Sequence, residues 1–185
     1  MTRLGLWEET HMSSILIRRA TPADASEINA YVRRIIDEQH NNVTRDPGQW
    51  DKTDEQEREF LEKIETDPKQ YFIVAVLGGR IVGVANIFRH PQTTQEHAAS
   101  LGLSVAVEYR RQGIGRALMD ALLAWAKEHK LRRVELKVFT RNTPAIALYR
   151  DLGFVQEGLH RMAALKQGVW CDDLTMALIL RPAER

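Results

Sequence analysis

Apolar residues fall along this chain in two rhythms, one stepping by two and one by three or four, and the switches between them delimit its elements. Ile15 to Arg19 is a short run of β-branched and apolar residues that predicts a strand. Thr21-Pro22-x-Asp24 opens a helix, with Thr21 able to cap and Pro22 in the first turn. Ala25, Ile28, Val32 and Ile35 then line one helix face. Asn41 to Trp50 contains Asp46-Pro47-Gly48 and predicts a loop. A more polar helix covers Asp54 to Ile64, with Phe60, Leu61 and Ile64 turned inward, and stops before Asp67-Pro68.

Strands dominate the remainder of the chain. Tyr71 to Leu77 and Ile81 to Phe88 are apolar runs joined by the hairpin signal Gly78-Gly79. Leu101, Leu103, Val105 and Val107 alternate with Gly102, Ser104, Ala106 and Glu108, a half-buried strand. Ile114, Leu118, Leu122 and Trp125 form one face of a helix from Gly113 to Lys130, and Val134, Leu136 and Val138 mark another strand. Asn142-Thr143-Pro144 opens a short helix through Leu152, which Gly153 closes as a left-handed cap. Phe154 to Gly158 and Trp170 to Leu180 complete seven strands. This order predicts a single α/β (α+β) domain over residues 14–182. The aperiodic residues 1–13 are expected to be a disordered extension, with Met12 as the alternative natural start.

Composition narrows the classes. The chain has 185 residues with 26 Lys plus Arg against 25 Asp plus Glu, a net charge of +1 that lacks the basic excess of a phosphate-binding surface. No apolar run approaches the ~20 residues that span a bilayer. Glu8, Glu9 and His11 stand where a signal peptide needs an apolar stretch. The one cysteine, Cys171, rules out an internal disulfide and a multi-cysteine zinc site. His90, Glu96 and His97 match no metal-ligand spacing, so no metal is expected. A cytoplasmic protein is expected, with no nucleic-acid or membrane partner. Lys127, Lys130, Arg132, Arg133, Lys137 and Arg141 are a basic stretch, but they divide between a helix end and alternate strand faces.

The most informative stretch is Val105-Ala106-Val107-Glu108-Tyr109-Arg110-Arg111-Gln112-Gly113-Ile114-Gly115-Arg116. A strand ends, basic residues come next, and two glycines open a helix. Free N–H groups and the positive end of the helix dipole suit a phosphate there, and glycine lets it approach the backbone. A tight turn in which glycine merely fits reads equally well from these residues alone. A dinucleotide fingerprint is excluded because Leu118 holds the third glycine position.

Arg110-x-x-Gly113-x-Gly115 is followed by Asn142-x-x-Ala145-x-x-Leu148-Tyr149-x-x-x-Gly153-Phe154. The pair resembles the GCN5-related N-acetyltransferase (GNAT) superfamily, in element order from Ile15 to Leu180 and residue by residue from Leu101 to Gly158. Glu157-Gly158-x-x-Arg161 and Gly168-x-Trp170-x-Asp172 look like members that acetylate amino acids or related small amines. The resemblance implies the GNAT fold, a mixed sheet with helices on both faces and a splayed fourth and fifth strand. It implies acetyl-CoA as donor, its pantetheine arm paired with Val105 and Val107 and bonded by Asn142. The pyrophosphate is expected on the amides of Gln112, Gly113, Ile114, Gly115 and Arg116. Arg110, Arg111 and Arg141 are candidates for the CoA phosphates, or are solvated surface arginines. Val107 stands where the family often has proline.

The implied reaction is attack of an amine on a thioester. Tyr149 matches the family tyrosine that protonates the departing sulfur, and core packing is its alternative role. For the base, the strand Leu101 to Val107 offers no carboxylate. Candidates are Glu96 and His97 before it, Glu108 after it, and Asp37, Glu38 or His40 at the end of the first helix, with a water-mediated route beside them. His97 is named because similar small-amine members carry a histidine there. Substrate choice is assigned to the loop holding Asp46 and Trp50 and to the hairpin from Arg161 to Trp170. The expected acceptor is a small-molecule primary amine. The alternatives are a protein N-terminus or lysine, or a non-catalytic CoA-binding regulatory module, and a homodimer is compatible with the sequence.

Overall fold

A computed structural model describes residues 15–38 and 42–181. The extension expected over residues 1–13 and the candidate His40 lie outside the described residues. Seven strands form one sheet in the order β1-β2-β3-β4-β5-β7-β6. They are β1 (Leu16–Arg19), β2 (Gln70–Leu77), β3 (Arg80–Arg89), β4 (Ala98–Val105), β5 (Arg133–Phe139), β6 (Val155–Lys166) and β7 (Val169–Ile179). Helices α1 (Ala25–Asp37) and α2 (Asp54–Thr66) cover one face, and α3 (Ile114–Glu128) and α4 (Thr143–Asp151) belong to the core of the other. The expected mixed sheet with helices on both faces is what the chain forms.

Burial explains the sheet. β2 and the first half of β3 are continuous apolar runs because both of their faces are covered. Phe72, Val74 and Val84 pack with Ile28, Tyr31, Ile35, Leu61 and Ile64 of α1 and α2. Ile73, Ala85, Leu101 and Val134 pack with Leu118, Met119 and Leu122 of α3. Polar ties then fix α1 to α2. The amide of the fully buried Asn29 donates to Asp54 Oδ1 at 2.7 Å and accepts from Trp50 Nε1 at 2.9 Å.

One pairing is incomplete. β4 runs antiparallel to β3 from Ala99 to Val105, yet pairs with the parallel β5 only over Ala98–Ser100 against Arg133–Glu135. From Leu101 onward the two strands part, which is the splay that the sequence motifs implied.

Two expectations are corrected. β4 ends at Val105, and Val107 belongs to a 3-10 turn (Val107–Tyr109) with 53% of its surface exposed. The last hairpin is longer than the run Phe154 to Gly158 predicts. β6 exposes nearly every side chain, so no alternation marks it, and a bulge with Met162 at φ 55° breaks its register.

Asn29→Ala strands the Trp50 indole N–H above the sheet. It should lower unfolding free energy by about 1–3 kcal/mol, read from urea melts, with an unchanged far-ultraviolet spectrum.

Candidate active site

The splay opens a cleft between β4 and α4, about 390 Å³ in volume, with the glycine turn as its mouth. Gly113 caps α3 in the left-handed region at φ 82°, where an L side chain is strained. The first main-chain bond of the helix runs from Ala117 N to Gly113 O. The N–H groups of Ile114, Gly115 and Arg116 therefore lack helical partners and point out of the helix start. Gly115 has a different reason. A Cβ there would lie 3.4 Å from Leu148 and 3.8 Å from Leu103, so its bare face is part of the cleft wall between α3 and α4.

Arg110, Arg111, Arg116 and Arg141 line this cleft together with Val105 and Asn142. Four guanidiniums, free helix amides and a strand edge lacking its neighbour form a cradle that fits a polyphosphate on a long amide-bearing arm. Three of the arginines already have partners, Arg141 lying 5.4 Å over the Phe139 ring. Arg110 Nε donates to Val105 O at 2.8 Å and its Nη2 bonds the Glu38 carboxylate, while Arg116 Nε stands 3.4 Å from Asp120.

A larger cavity of about 1100 Å³ lies on the α1–α2 face of the sheet. Phe60, Phe72, Phe88 and Trp50 supply apolar walls, and Gly102 and Ser104 of β4 line it as well. Tyr31 is buried against it, with its hydroxyl 3.0 Å from Ser104 Oγ, and burial raises its phenol pKa. Among the described residues three cations, Arg45, Lys52 and Lys137, line it against two carboxylates, Asp51 and Glu57. Glu57 is buried, 2.6 Å from the Lys52 ammonium, which in turn lies 3.9 Å over the Phe60 ring.

The two cavities share residues, among them Leu103, Ser104, Asn142 and Tyr149. Tyr149 projects from α4 into this junction, 5% exposed, its ring tilted against Phe154 at 5.8 Å. Burial pushes its phenol up to about 12. Among the described residues no group hydrogen-bonds to its hydroxyl. Packing and reactivity are thus not exclusive here: the ring belongs to the core and the same residue lines both cavities.

Several sequence candidates fall elsewhere. His97 is exposed at the start of β4, where its carbonyl accepts from Arg132 and Arg133. The glycine turn follows the far end of that eight-residue strand, which is itself about 23 Å long at the rise of an extended chain. His97 and the neighbouring Glu96 line neither cavity, so the histidine does not reach the junction. Val107 also departs from expectation. Its N–H is taken by Glu38 Oε1 at 2.9 Å, and its side chain lines neither cavity. Ile114 buries its side chain in the core, leaving only its amide to the cleft mouth, and Gln112 Nε2 is engaged with Glu108 O at 3.1 Å. Asp37 and Glu108 are exposed and likewise line neither cavity.

Glu57 is the residue that sequence reading missed. Its signal was present: Glu57, Phe60, Leu61 and Ile64 step by three, one and three along the inward face of α2. A carboxylate on an apolar stripe has to be paired.

Comparison with known proteins agrees with this geometry. Residues 32–154 match the acetyltransferase (GNAT) family. The L-amino acid N-acetyltransferase AaaT of Escherichia coli is 30% identical over 121 residues, covering 65% of this chain and 75% of that protein. The N-alpha-acetyltransferase RimI of Mycobacterium tuberculosis is 37% identical over 94 residues, 51% of this chain and 58% of its own length. A crystal structure of a GNAT-family acetyltransferase from Streptococcus pneumoniae superposes with a TM-score of 0.85 at 31% identity, covering 90% of this chain and all of that one. The chain belongs to the GNAT acetyltransferase family, and it is an N-acetyltransferase with acetyl-CoA as donor. Among the described residues no cluster of His, Cys, Asp or Glu is arranged to hold a metal ion, and no helix is long and apolar enough to cross a membrane.

Gly115→Val adds methyl groups to the cleft wall facing Leu148 and Leu103. The KM for acetyl-CoA should rise by about tenfold or more, with the melting temperature within a few degrees of wild type. Steady-state kinetics at saturating acceptor measure it.

Proposed function

We propose that the chain transfers acetyl from acetyl-CoA to the α-amine of a free amino acid or a similar small carboxylate-bearing amine, by direct attack with both substrates bound. The observation that carries this reading is the junction of the two cavities at Tyr149 and Asn142. A donor laid along the smaller cleft and an amine in the larger cavity meet there, where the Ser104 hydroxyl is engaged by the Tyr31 phenol at 3.0 Å. Cys171, the one cysteine, lines neither space. The cationic surplus in the larger cavity supports a carboxylate on the acceptor. The name of the AaaT relative supports the same class. A cytoplasmic setting, which suits a lone free cysteine, goes with the reading.

Acetyl-CoA supplies an activated thioester. The bare amine nitrogen bonds to the acetyl carbon, the carbon–sulfur bond breaks, and the proton lost from nitrogen goes to solvent. A peptide α-amine has a pKa of about 7.7–8, but the carboxylate of a free amino acid holds its ammonium above that, so a base, reached directly or through water, takes a proton from the ammonium before attack. Asn142 and the edge of β4 orient the pantetheine arm. Tyr149 acts on the sulfur. A phenol at about 12 is less acidic than a thiol near 8.5, so its first task is to donate a hydrogen bond as negative charge grows. Full proton transfer follows only as far as solvent helps.

A peptide N-terminus is the second reading, favoured by the RimI relative. Thiol release from acetyl-CoA, measured against the L-amino acids, polyamines and short peptides, separates the two. The highest kcat/KM on a free amino acid is expected. A peptide preference assigns the second reading, and tight CoA binding with silence on every amine assigns a regulatory module.

Tyr149→Phe removes only the hydroxyl. Its kcat should fall toward the lower end of the ~10²–10⁴-fold range typical of a lost proton donor, with KM for acetyl-CoA within about twofold. Equal kcat in both proteins, with chemistry rate-limiting, would reduce Tyr149 to packing.

A further inference from the structure

A charged side chain is buried where the reaction does not use it. Lys166 closes β6, one residue before the Gln167–Gly168 hairpin turn, and is 5% exposed. Its ammonium donates to the carbonyls of Val43 at 2.6 Å and Arg45 at 2.8 Å, with Asp46 Oδ1 at 3.8 Å. These acceptors lie more than 115 residues away in sequence, in the connection between α1 and α2. An ammonium has three donors, and it leaves water only where such partners replace the solvent.

What Lys166 holds is a wall of both cavities. Val43 lines the donor cleft and the larger cavity together, and Thr44, Arg45 and Trp50 line the larger one. This connection has neither helix nor strand over residues 42–53. Bonds such as Gln49 N to Asp46 O and the Arg45 guanidinium 5.0 Å over the Trp50 ring are local, and further along Asn29, Arg33 and Glu57 tie the connection from outside at Trp50 and Lys52. Such a segment opens readily unless something outside it ties it down. Burial lowers the Lys166 pKa, with Asp46 opposing, as expected of a cation kept charged by its neighbours.

We propose that Lys166 is the positioning residue of the acceptor site: it clamps the Val43–Asp46 segment from the β6–β7 hairpin and so sets the fit of the acceptor amine. The proposal rests on reading the larger cavity as the acceptor site. It joins the two regions to which the sequence assigned substrate choice, the loop holding Asp46 and the Arg161 to Trp170 hairpin, through one ammonium.

The test uses Lys166→Met, which keeps the stem and removes charge and donors, and Lys166→Arg, which restores both. Amide exchange, followed by mass spectrometry on the full chain, should quicken about tenfold or more in peptides covering residues 42–46 of the Met variant. Peptides of β2, β3 and α3 should not change. With the best acceptor from the amine panel, its KM should rise by about tenfold, more than the KM for acetyl-CoA, whose cleft Val43 alone of the clamped segment lines, while kcat at saturation stays within about twofold. Lys166→Arg should recover most of the acceptor KM. Unchanged exchange at residues 42–46 overturns the clamp itself. Faster exchange with an unchanged acceptor KM overturns the role in acceptor binding. If Lys166→Met does not fold, Lys166→Gln takes its place, and unfolding of both overturns the proposal because the residue then holds the domain. Absence of an amine acceptor in the wild-type panel counts against the functional reading, and the exchange experiment still decides the clamp.

Discussion

The decisive constraint in this protein is a pairing that stops. β4 and β5 share only Ala98–Ser100 against Arg133–Glu135 before they part. Main-chain donors and acceptors seek partners wherever they are removed from water, so a strand edge left open inside a sheet is a ready-made binding surface. Everything functional depends on the opening. α3 begins at Gly113 just past the end of β4, α4 fills the far side with Tyr149 and Asn142, and the two cavities meet where the strands have separated. A fully zipped sheet built from the same elements would have no junction.

Much of this was legible because it rests on backbone-level demands. The continuous apolar runs of β2 and β3, the period-two alternation of β5, the inward stripe of α3 and the left-handed Gly153 (φ 90°) are each forced by burial or by steric limits. The glycine turn was legible for the same reason, although its two glycines answer different needs: Gly113 a left-handed φ, Gly115 a close wall. β6 was underestimated because a strand with solvent around nearly every side chain carries no alternation to read.

The site was only partly legible, and the failures have a common cause. His97 and Tyr149 stand some fifty residues apart in sequence, and nothing in either neighbourhood tells which end of the sheet each occupies. Strand direction decides it: β4 runs toward the glycine turn, so a residue preceding it is carried to the opposite edge. Val107 failed over two positions, because the chain turns at Ala106 and delivers the Val107 amide to Glu38. The buried charges Glu57 and Lys166 depend on partners that pattern reading cannot supply, although a glutamate on the apolar stripe of α2 was visible as a misfit. Buried ions of this kind contribute less to net stability than their contacts suggest, because desolvation offsets attraction. What they do fix is geometry, here around the larger cavity.

The division of labour across the splay bears on how such an enzyme can change. On the donor side, much of the cradle is peptide groups of β4 and the start of α3, which any sequence able to adopt that backbone provides. On the side proposed for the acceptor, part of the wall is side chains of the connection between α1 and α2, such as Arg45, Gln49 and Trp50, which line the larger cavity and not the donor cleft and can be exchanged without disturbing the peptide cradle. Drift in those walls can therefore redirect the enzyme to a new amine in small steps while the handling of the activated acyl group stays intact. A scaffold split in this way separates the chemistry that must persist from the specificity that can wander.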